Sequence, residues 1–167
     1  MGKDLPEIEK KKWFLAGIIE GEGSLCISIK NHNSSRFGFL IDPEFFIYQH
    51  KNRRELLEMA KEIFKTGSIW QKPGNENVLV YGIRDRRSLK ERVIPFFEKY
   101  MIFSARKKDY YIFKKVIESL ERKEHYTKEG FIKILELTYK MNQEGKGRKR
   151  ELIELVKGIL RDYTPDP

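Results

Sequence analysis

Two glutamates separated by one glycine, Glu20 and Glu22, are the residues of this chain best suited to bind a divalent metal ion. They end a stretch of helical character, where acids are unfavourable because the C-terminal end of a helix dipole is negative. The chain as a whole is basic, with 34 Lys and Arg against 25 Asp and Glu. A divalent cation would reconcile these facts, because it neutralises carboxylates and engages phosphate oxygens. Taken alone, the triplet is more typical of solvated residues at a helix end than of a metal site.

The helix that leads to these acids carries small residues on one side. Gly17 and Gly21 lie four residues apart beside Ala16, and each glycine costs about 1 kcal/mol relative to alanine in a helix. Residues 13–19 are apolar all round, so the helix must bury more than one face. Small residues at this spacing let a second helix approach closely, and the simplest partner is the same helix of another copy. The expected pairing surface comprises Phe14, Ala16, Gly17, Glu20 and Gly21.

Composition restricts the class of protein. A net charge of +9 favours a polyanionic partner, because each neutralised phosphate releases counterions; a merely basic protein is the alternative. The single Cys26 excludes an internal disulfide, and the three histidines lack ligand spacing. No apolar run approaches the roughly 20 residues that span a bilayer, and no secretory segment begins the chain. We therefore expect an intracellular protein, and the 35% of charged residues favours a thermophilic host.

Periodicity predicts two helix–strand–strand repeats and a third helix. The capping-box spacing of Asp4 and Glu7 predicts a first helix that runs towards residue 21. The same spacing of Asn52 and Glu55 predicts a second helix, which ends before Gly67. Ser88 and Glu91 predict the start of a third helix in the same way. The predicted strands are Ser24–Lys30, Glu44–Lys51, Gly67–Lys72 and Asn77–Arg84, the last two joined by the turn-forming Pro73-Gly74-Asn75.

The remainder of the chain has helical periodicity. Apolar residues recur at helical spacing in two segments, which are Phe113, Val116, Ile117 and Leu120, and then Phe131, Ile134, Leu135 and Thr138. A last helix over about Arg150–Arg161 follows the basic loop Gly145–Arg150. The order αββαββα with additional C-terminal helices, and no Ser- or Pro-rich linker, predicts one α+β domain over residues 1–167.

Alternation along the strands predicts a sheet with one helix-covered face and one open face. The residues assigned to the open face are Ser24, Cys26, Ser28 and Lys30, then Phe46, Tyr48 and His50, and then Asn77, Leu79 and Tyr81. Phe46, Tyr48 and Tyr81 are large for an ordinary solvated face. A strand of about eight residues spans ~27 Å, roughly the rise of eight base pairs, so such a face could follow about one turn of a duplex.

Residues 15–23, LAGIIEGEG, resemble the signature of the LAGLIDADG homing endonucleases. The motif stands at the start of an αββαββα order in a basic chain of single-domain length, and the resemblance covers nearly the whole chain. It implies an antiparallel sheet that forms a DNA-binding saddle, and a homodimer of the single-motif type that pairs through this helix. The implied activity is a metal-dependent, staggered double-strand cut in a long, pseudo-palindromic DNA site, leaving short 3′ overhangs.

The resemblance also implies roles for individual residues. Glu22 matches the acid that binds the metal ion in the family. The Gly21 carbonyl matches a second metal ligand, and Glu20 matches the acid that supports the helix end. Mg²⁺ is the implied cofactor; Mn²⁺ is expected to substitute, and Ca²⁺ to support binding without cleavage. Gln49 matches the residue that positions the attacking water, and Arg53 a basic helper nearby. The position of the catalytic lysine corresponds to Arg106 here, while a shift of one or two residues would nominate Lys107 or Lys108.

The resemblance implies that the open face of the sheet recognises DNA bases, together with further residues along the sheet. Trp70 and Lys72 from the third strand, His32 beyond the first and Arg84 beyond the fourth join the residues assigned above. Lys30, Lys72 and Arg84 suit guanine edges or phosphates. Two basic segments, Arg84–Arg87 and Lys146–Arg150, are expected to contact the DNA backbone.

A second interpretation remains open, in which the same scaffold binds nucleic acid without cleaving it. An intron maturase or a regulator would bind RNA or DNA through the same fold without cutting. Intact acids argue for cleavage, because a pure binder gains nothing from like charges held near phosphate.

Overall fold

The computed structural model describes residues 5–101, 106–141 and 151–161. Its first helix, α1, spans Glu7–Glu22 and therefore carries both glutamates of the triplet. Pro6 occupies the N-cap position without a side-chain hydrogen bond, and its carbonyl accepts from the Glu9 amide at 2.9 Å. Asp4, which we expected to cap this helix, lies outside the described residues.

The strands form one antiparallel arrangement. They are β1 (Gly23–Asn31), β2 (Phe39–His50), β3 (Ser68–Lys72) and β4 (Asn75–Ile83). Within the described residues the four-stranded sheet has the order β1-β2-β4-β3. β4 pairs antiparallel with both β2 and β3, so the segment that comes last in sequence lies inside the sheet. The predicted α+β class and the helix–strand order are confirmed.

β2 is longer than its prediction. It begins at Phe39 rather than at Glu44 and passes through Asp42 and Pro43. A proline usually ends a strand because it lacks a backbone N–H, but the residue before it prefers an extended backbone. The extended geometry of Asp42 therefore continues the strand where the sequence pattern predicted a break.

Two of the predicted helix caps are wrong. The second helix begins with a 3₁₀ turn, Lys51–Arg53, before α2 (Arg54–Phe64). The His50 ring nitrogen Nδ1 accepts the Asn52 amide at 3.3 Å, so Asn52 is a capped residue rather than the cap. After β4, Asp85 accepts the Ser88 amide at 2.7 Å and takes the role that we assigned to Ser88. The helical segments that follow are α3 (Arg86–Ser88), the π-helical Leu89–Val93 and α4 (Ile94–Tyr100).

The chain forms two compact units. One joins the segment that ends at Leu25 to Glu44–Lys107, and the other joins Cys26–Pro43 to the described residues after Lys107. The first unit has an aromatic core in which Phe64 of α2 contacts Phe45 at 5.6 Å, Phe96 at 5.0 Å and Tyr81 at 6.2 Å between ring centroids. Because the units interleave along the sequence, the single domain stays a prediction.

The second unit contains the C-terminal helices. These are α5 (Lys107–Glu121), the 3₁₀ turn Glu124–Tyr126, α6 (Lys128–Tyr139) and α7 (Leu152–Arg161). Its core includes Phe113, Ile117, Leu135 and Leu155, which are all buried. The predicted loop Gly145–Arg150 lies outside the described residues. Over the ranges that the structure describes, no helix is long and apolar enough to cross a bilayer.

Candidate active site and nucleic-acid interface

The two glutamates at the end of α1 differ in their surroundings. Glu22 is the last residue of the helix and is exposed. Glu20 is half-buried, and its Oε2 is a buried oxygen with no hydrogen-bond partner within the described part of the chain. Glu22 can therefore reach a ligand in solvent, whereas one oxygen of Glu20 has no hydrogen-bond partner among the described residues.

Gly23 fixes the turn from α1 into β1. Its amide donates to the Ile19 carbonyl and ends the helix. A Cβ at this position would lie 2.4 Å from the Ile19 carbonyl oxygen and 2.7 Å from its Cγ2. The backbone of the first strand residue therefore passes too close to the helix for any side chain, and this close approach sets the direction of the neighbouring Glu22.

Gly23→Ala should lower the free energy of unfolding by about 1–3 kcal/mol, as overpacking of a closed contact does. Denaturant unfolding would measure this change. Gly158→Ala is the matched control, because a Cβ there meets nothing within 4 Å and alanine is the better helix former. An equal or higher stability of Gly23→Ala would show that the turn can relax.

Arg106 brings a positive charge to this turn. Its Nη1 donates to the Gly23 carbonyl, one residue beyond Glu22. Of the three basic residues nominated for the catalytic position, Arg106 thus contacts the end of the motif. Lys107 begins α5 and is exposed, and Lys108 belongs to the second unit, where it lines a cavity together with Lys114 and Lys140.

The other residues nominated for catalysis lie at the end of β2 and in the turn after it. Gln49 is half-buried in β2 and pairs with Leu79 of β4. Arg53 is exposed in the 3₁₀ turn and is the N-cap residue of α2. A group of three or more His, Cys, Asp or Glu side chains able to hold a metal ion is absent from the described residues.

The exposed side of α1 is a stripe of Phe14, Gly17 and Gly21, which we call the α1 stripe. Phe14 is 58% exposed, and a Cβ on either glycine would meet nothing within 4 Å. Ala16 is only 6% exposed and lies between the buried Leu15 and Ile19 in sequence. Ala16 therefore offers little surface to a second copy, and its place in the pairing surface stays a prediction.

An ionic cluster ties the N-terminal half of α1 to α4. The Tyr100 hydroxyl lies 3.0 and 2.9 Å from the two carboxylate oxygens of Glu9, and Lys12 and Lys99 lie 3.1 and 3.3 Å from them. The Tyr100 hydrogen bond, followed by that of Lys12, lowers the pKa of Glu9 to about 2. Trp13 also packs edge-on against Tyr100 at 5.0 Å, so this cluster helps to set the orientation of the motif helix.

Acid should remove the stabilisation that this cluster provides. A carboxyl group whose pKa is lower in the folded state stabilises the fold above its unfolded pKa of about 4.5 and loses that effect as the pH falls towards 2. Tyr100→Phe should therefore reduce the difference in urea midpoint between neutral and acid pH. Tyr111→Phe, at an exposed tyrosine of α5, is the control, and equal pH profiles for both variants and the parent would contradict the assignment.

The register of the first unit's strands corrects one of the predicted faces. Ile47 pairs with Tyr81 and Gln49 with Leu79, so these β4 residues share the face of Phe45 and Ile47 that α2 covers. Tyr81 is fully buried, stacks on Phe64 and donates to the Thr66 carbonyl at 2.8 Å. The placement of Asn77, Leu79 and Tyr81 on the open face is wrong. Val78, Val80 and Gly82 occupy it instead.

Five of the predicted DNA-contacting residues do come together on the opposite face, which we call the aromatic face: Phe46, Tyr48, Trp70, Lys72 and Arg84. Phe46 lies 6.2 Å from Tyr48 and 5.9 Å from Trp70 between ring centroids. The Lys72 ammonium stands 5.2 Å above the Tyr48 ring, and the Arg84 guanidinium 4.5 Å above the Trp70 ring. This face thus presents two cations on an aromatic layer, which is the composition that suits nucleic acid.

The remaining predicted contacts lie at the strand ends and in β1. Lys30 forms an ion pair with Asp42; His32 is exposed, with Nδ1 3.4 Å from the Ser34 hydroxyl. His50 is exposed but uses Nδ1 to cap the following turn. The half-buried residues of this set are Ser24, Cys26 and Ser28.

Sequence reasoning missed two residues of the aromatic face. Gly82 lies opposite Phe46, and a Cβ there would come within 2.3 Å of the Trp70 ring and 2.8 Å of the Phe46 ring. Glu44 is buried and forms an ion pair with Arg84, with Oε1 3.4 Å from Nε. An acid directly before the apolar run Phe45-Phe46-Ile47 was the available signal for Glu44.

A helix that ends in an exposed carboxylate, an uncovered small-residue stripe and a basic aromatic sheet face together define a protein that acts on nucleic-acid phosphates. The sequence profile of the LAGLIDADG endonuclease family matches residues 15–117. The chain belongs to this family of endonucleases, whose members depend on metal ions.

Individual relatives agree with this assignment. The chain is similar to the DNA endonuclease I-CeuI of Chlamydomonas moewusii, at 39% identity over 92% of this chain and 73% of that protein. It is 29% identical to the homing endonuclease I-ApeII of Aeropyrum pernix, over 92% of this chain and 93% of that one. The structure of intron-encoded I-CeuI in complex with DNA has a TM-score of 0.85 at 36% identity, covering 94% of this chain and 79% of that one. The archaeal I-Vdi141I, also complexed with DNA, has a TM-score of 0.85 at 31% identity, covering 93% and 98%.

Proposed function

We propose that this chain is a site-specific homing endonuclease that acts as a homodimer and makes a staggered double-strand cut in a long, pseudo-palindromic DNA site. The observation that carries the proposal is the end of α1, where the exposed Glu22 stands next to the turn that Arg106 contacts. An acid for a metal ion and a cation for phosphate charge thus meet at the tip of the motif helix. The expected products have short 3′ overhangs.

The α1 stripe supports dimerisation. A backbone with no side chain at Gly17 and Gly21 and an exposed aromatic ring at Phe14 form a surface onto which another helix can pack closely. Glu20, half-buried near the end of the helix, is a further proposed residue of the pairing surface. In a symmetric pair of α1 helices, two Glu22 side chains would serve the two DNA strands.

The donor set at the helix end fits Mg²⁺. This ion keeps several waters and binds through one or two carboxylates plus substrate phosphates, rather than through a full cage of protein ligands. The exposed Glu22 carboxylate and the Gly21 carbonyl oxygen would hold it. When bound, the ion would supply an activated water and stabilise the leaving oxygen.

The chain's own residues have distinct tasks in this proposal. Gln49 would orient the attacking water, and Arg53 would attract the phosphate from its exposed turn. Arg106 would stabilise the charge that develops on the phosphate but could not donate a proton, because a guanidinium does not deprotonate in proteins. Lys107 and Lys108 are the alternative residues for this position, and either ammonium could donate a proton.

DNA would bind along the aromatic face. Its cations contribute salt-dependent attraction to phosphates, and its rings can pack against sugars and thymine methyl groups. Ser24, Cys26, Ser28, Lys30, His32 and His50 are further proposed DNA contacts. The basic Arg84–Arg87 segment is a further proposed contact with the DNA backbone.

Selection from a DNA library tests the proposal. The purified chain is incubated with randomised duplexes in Mg²⁺, Ca²⁺ or EDTA, and the cut ends are sequenced. We expect one long target to be cut in Mg²⁺, bound but uncut in Ca²⁺, and left intact in EDTA. Binding without cutting in both Mg²⁺ and Mn²⁺ would identify a non-cleaving regulator, and weak competition by duplex DNA against RNA would identify a maturase.

A further inference from the structure

Arg84 is held more rigidly than a surface arginine usually is. It follows directly after β4, its side chain is 59% exposed, and its guanidinium lies 4.5 Å from the Trp70 ring centroid and 5.5 Å from that of Phe46. Its Nε faces the Glu44 carboxylate at 3.4 Å. With Nε beside the Glu44 carboxylate and the guanidinium carbon over the Trp70 ring, the two Nη groups are the fork of donors that remains for a ligand.

The support beneath this fork is itself closely packed. Trp70 meets Phe46 edge-on, with ring planes at 83°, and this contact requires the missing side chain of Gly82. Gly82 pairs with Phe46 on one side and with Ser68 on the other. The rings under the guanidinium therefore have little freedom to move when a ligand binds.

The charge balance of the cluster favours a neutral ligand over a phosphate. Glu44 is 6% exposed, and its carboxylate cancels much of the positive charge that Arg84 would offer to an anion. A phosphate clamp would lose attraction from this neighbour. A guanine edge, which presents two neutral acceptors, N7 and O6, would lose little and would gain from the fork.

We propose that Arg84 is a specificity-determining residue that reads one guanine in each half of the DNA site, and that Glu44 is the residue that positions it. This inference rests on the proposed function. Arg84 provides two N–H donors to N7 and O6 in the major groove, while Glu44, Trp70 and Phe46 fix the plane of the guanidinium. Loss of the fork should abolish discrimination at that base pair and leave the other positions unchanged.

The test compares base preferences of variants on the target selected by the wild-type chain. Each position of that target is varied in turn, and relative affinities are measured in Ca²⁺ at several salt concentrations. Arg84→Met should flatten the preference for guanine at one position per half-site by about tenfold or more, which is the discrimination of one bidentate contact. Arg84→Lys should flatten it as well, because an ammonium lacks the planar fork.

Lys72→Met is the matched control on the same face. The Lys72 ammonium also stands over an aromatic ring, that of Tyr48, but no carboxylate contacts it among the described residues. Its loss should weaken binding evenly across sequences and reduce the salt slope by about one unit, as for a phosphate contact. Glu44→Gln should broaden the preference at the Arg84 position only, with an unchanged melting temperature.

Two outcomes would overturn the inference. An even loss of affinity with a shallower salt slope in Arg84→Met would make Arg84 a phosphate contact, and an unchanged base profile would make the cluster purely structural. Both outcomes are distinct from failure of the proposed function, in which the wild-type chain selects no DNA target. Circular dichroism of each variant separates a changed profile from misfolding.

Discussion

Glu22→Gln is expected to lower the rate of DNA cleavage by about a thousandfold or more while DNA binding is kept. The change removes the negative charge that holds a metal ion at the exposed tip of α1 but preserves the size of the side chain. A rate loss of this size corresponds to several kcal/mol of transition-state stabilisation, which is what a bound cation typically contributes. Binding should be equal or tighter, since an uncompensated carboxylate near phosphates opposes association.

The control for Glu22→Gln is Glu121→Gln. Glu121 is also the exposed last residue of a helix, α5, so the substitution removes the same charge at the same kind of position. Single-turnover cleavage in Mg²⁺ and affinity in Ca²⁺ would be measured for both variants. Cleavage by Glu22→Gln at the rate of the control would exclude Glu22 as the metal ligand, whatever its effect on binding.

The helix–strand order could be predicted because each element has a clear local pattern. The apolar run of α1, the alternation in β1 and the turn at Pro73-Gly74 all depend on neighbours close in sequence. The caps were harder to assign, because several acceptors compete for the same amides. Asp85 and Ser88 both suit an N-cap, and the structure selects the aspartate, which accepts the Ser88 amide.

The faces of β4 could not be predicted from its sequence. Residues 78–83 read Val-Leu-Val-Tyr-Gly-Ile, so both alternating sets are apolar and a period of two does not reveal which set faces the helices. Pairing with β2 decides it, because Tyr81 lies opposite the buried Ile47. β4 is a central strand, and residues on both of its faces are buried. Helices cover one face, and the side chains of the aromatic face cover the other.

Contacts between distant segments could not be predicted from the sequence either. The hydrogen bond of Arg106 to the Gly23 carbonyl joins residues 83 positions apart, and the Glu9–Tyr100 contact joins residues 91 apart. The family resemblance nominated Arg106, but no local pattern could have placed its guanidinium at the end of the motif. Such pairs become visible only when the fold brings the segments together.

The α1 stripe yields the other large expected effect. Gly17→Leu should convert the proposed dimer to a monomer, because a leucine on each copy would force the paired helices apart. Overpacking costs about 1–3 kcal/mol per site, and two-fold symmetry applies the change twice. The dissociation constant of the dimer should rise about thirtyfold or more, and double-strand cleavage should be lost at low protein concentration.

The folded monomer should tolerate this substitution, which makes the result specific. A Cβ at Gly17 meets nothing within 4 Å, and leucine is a better helix former than glycine by nearly 1 kcal/mol. Gly158→Leu in α7 is the matched control, because its Cβ position is equally open and it lies far from the motif in sequence. Sedimentation equilibrium with and without target DNA would measure the association. A Gly17→Leu chain that remained dimeric and cut both strands would show that α1 does not form the subunit contact, and the pairing of two Glu22 side chains would then lose its structural basis.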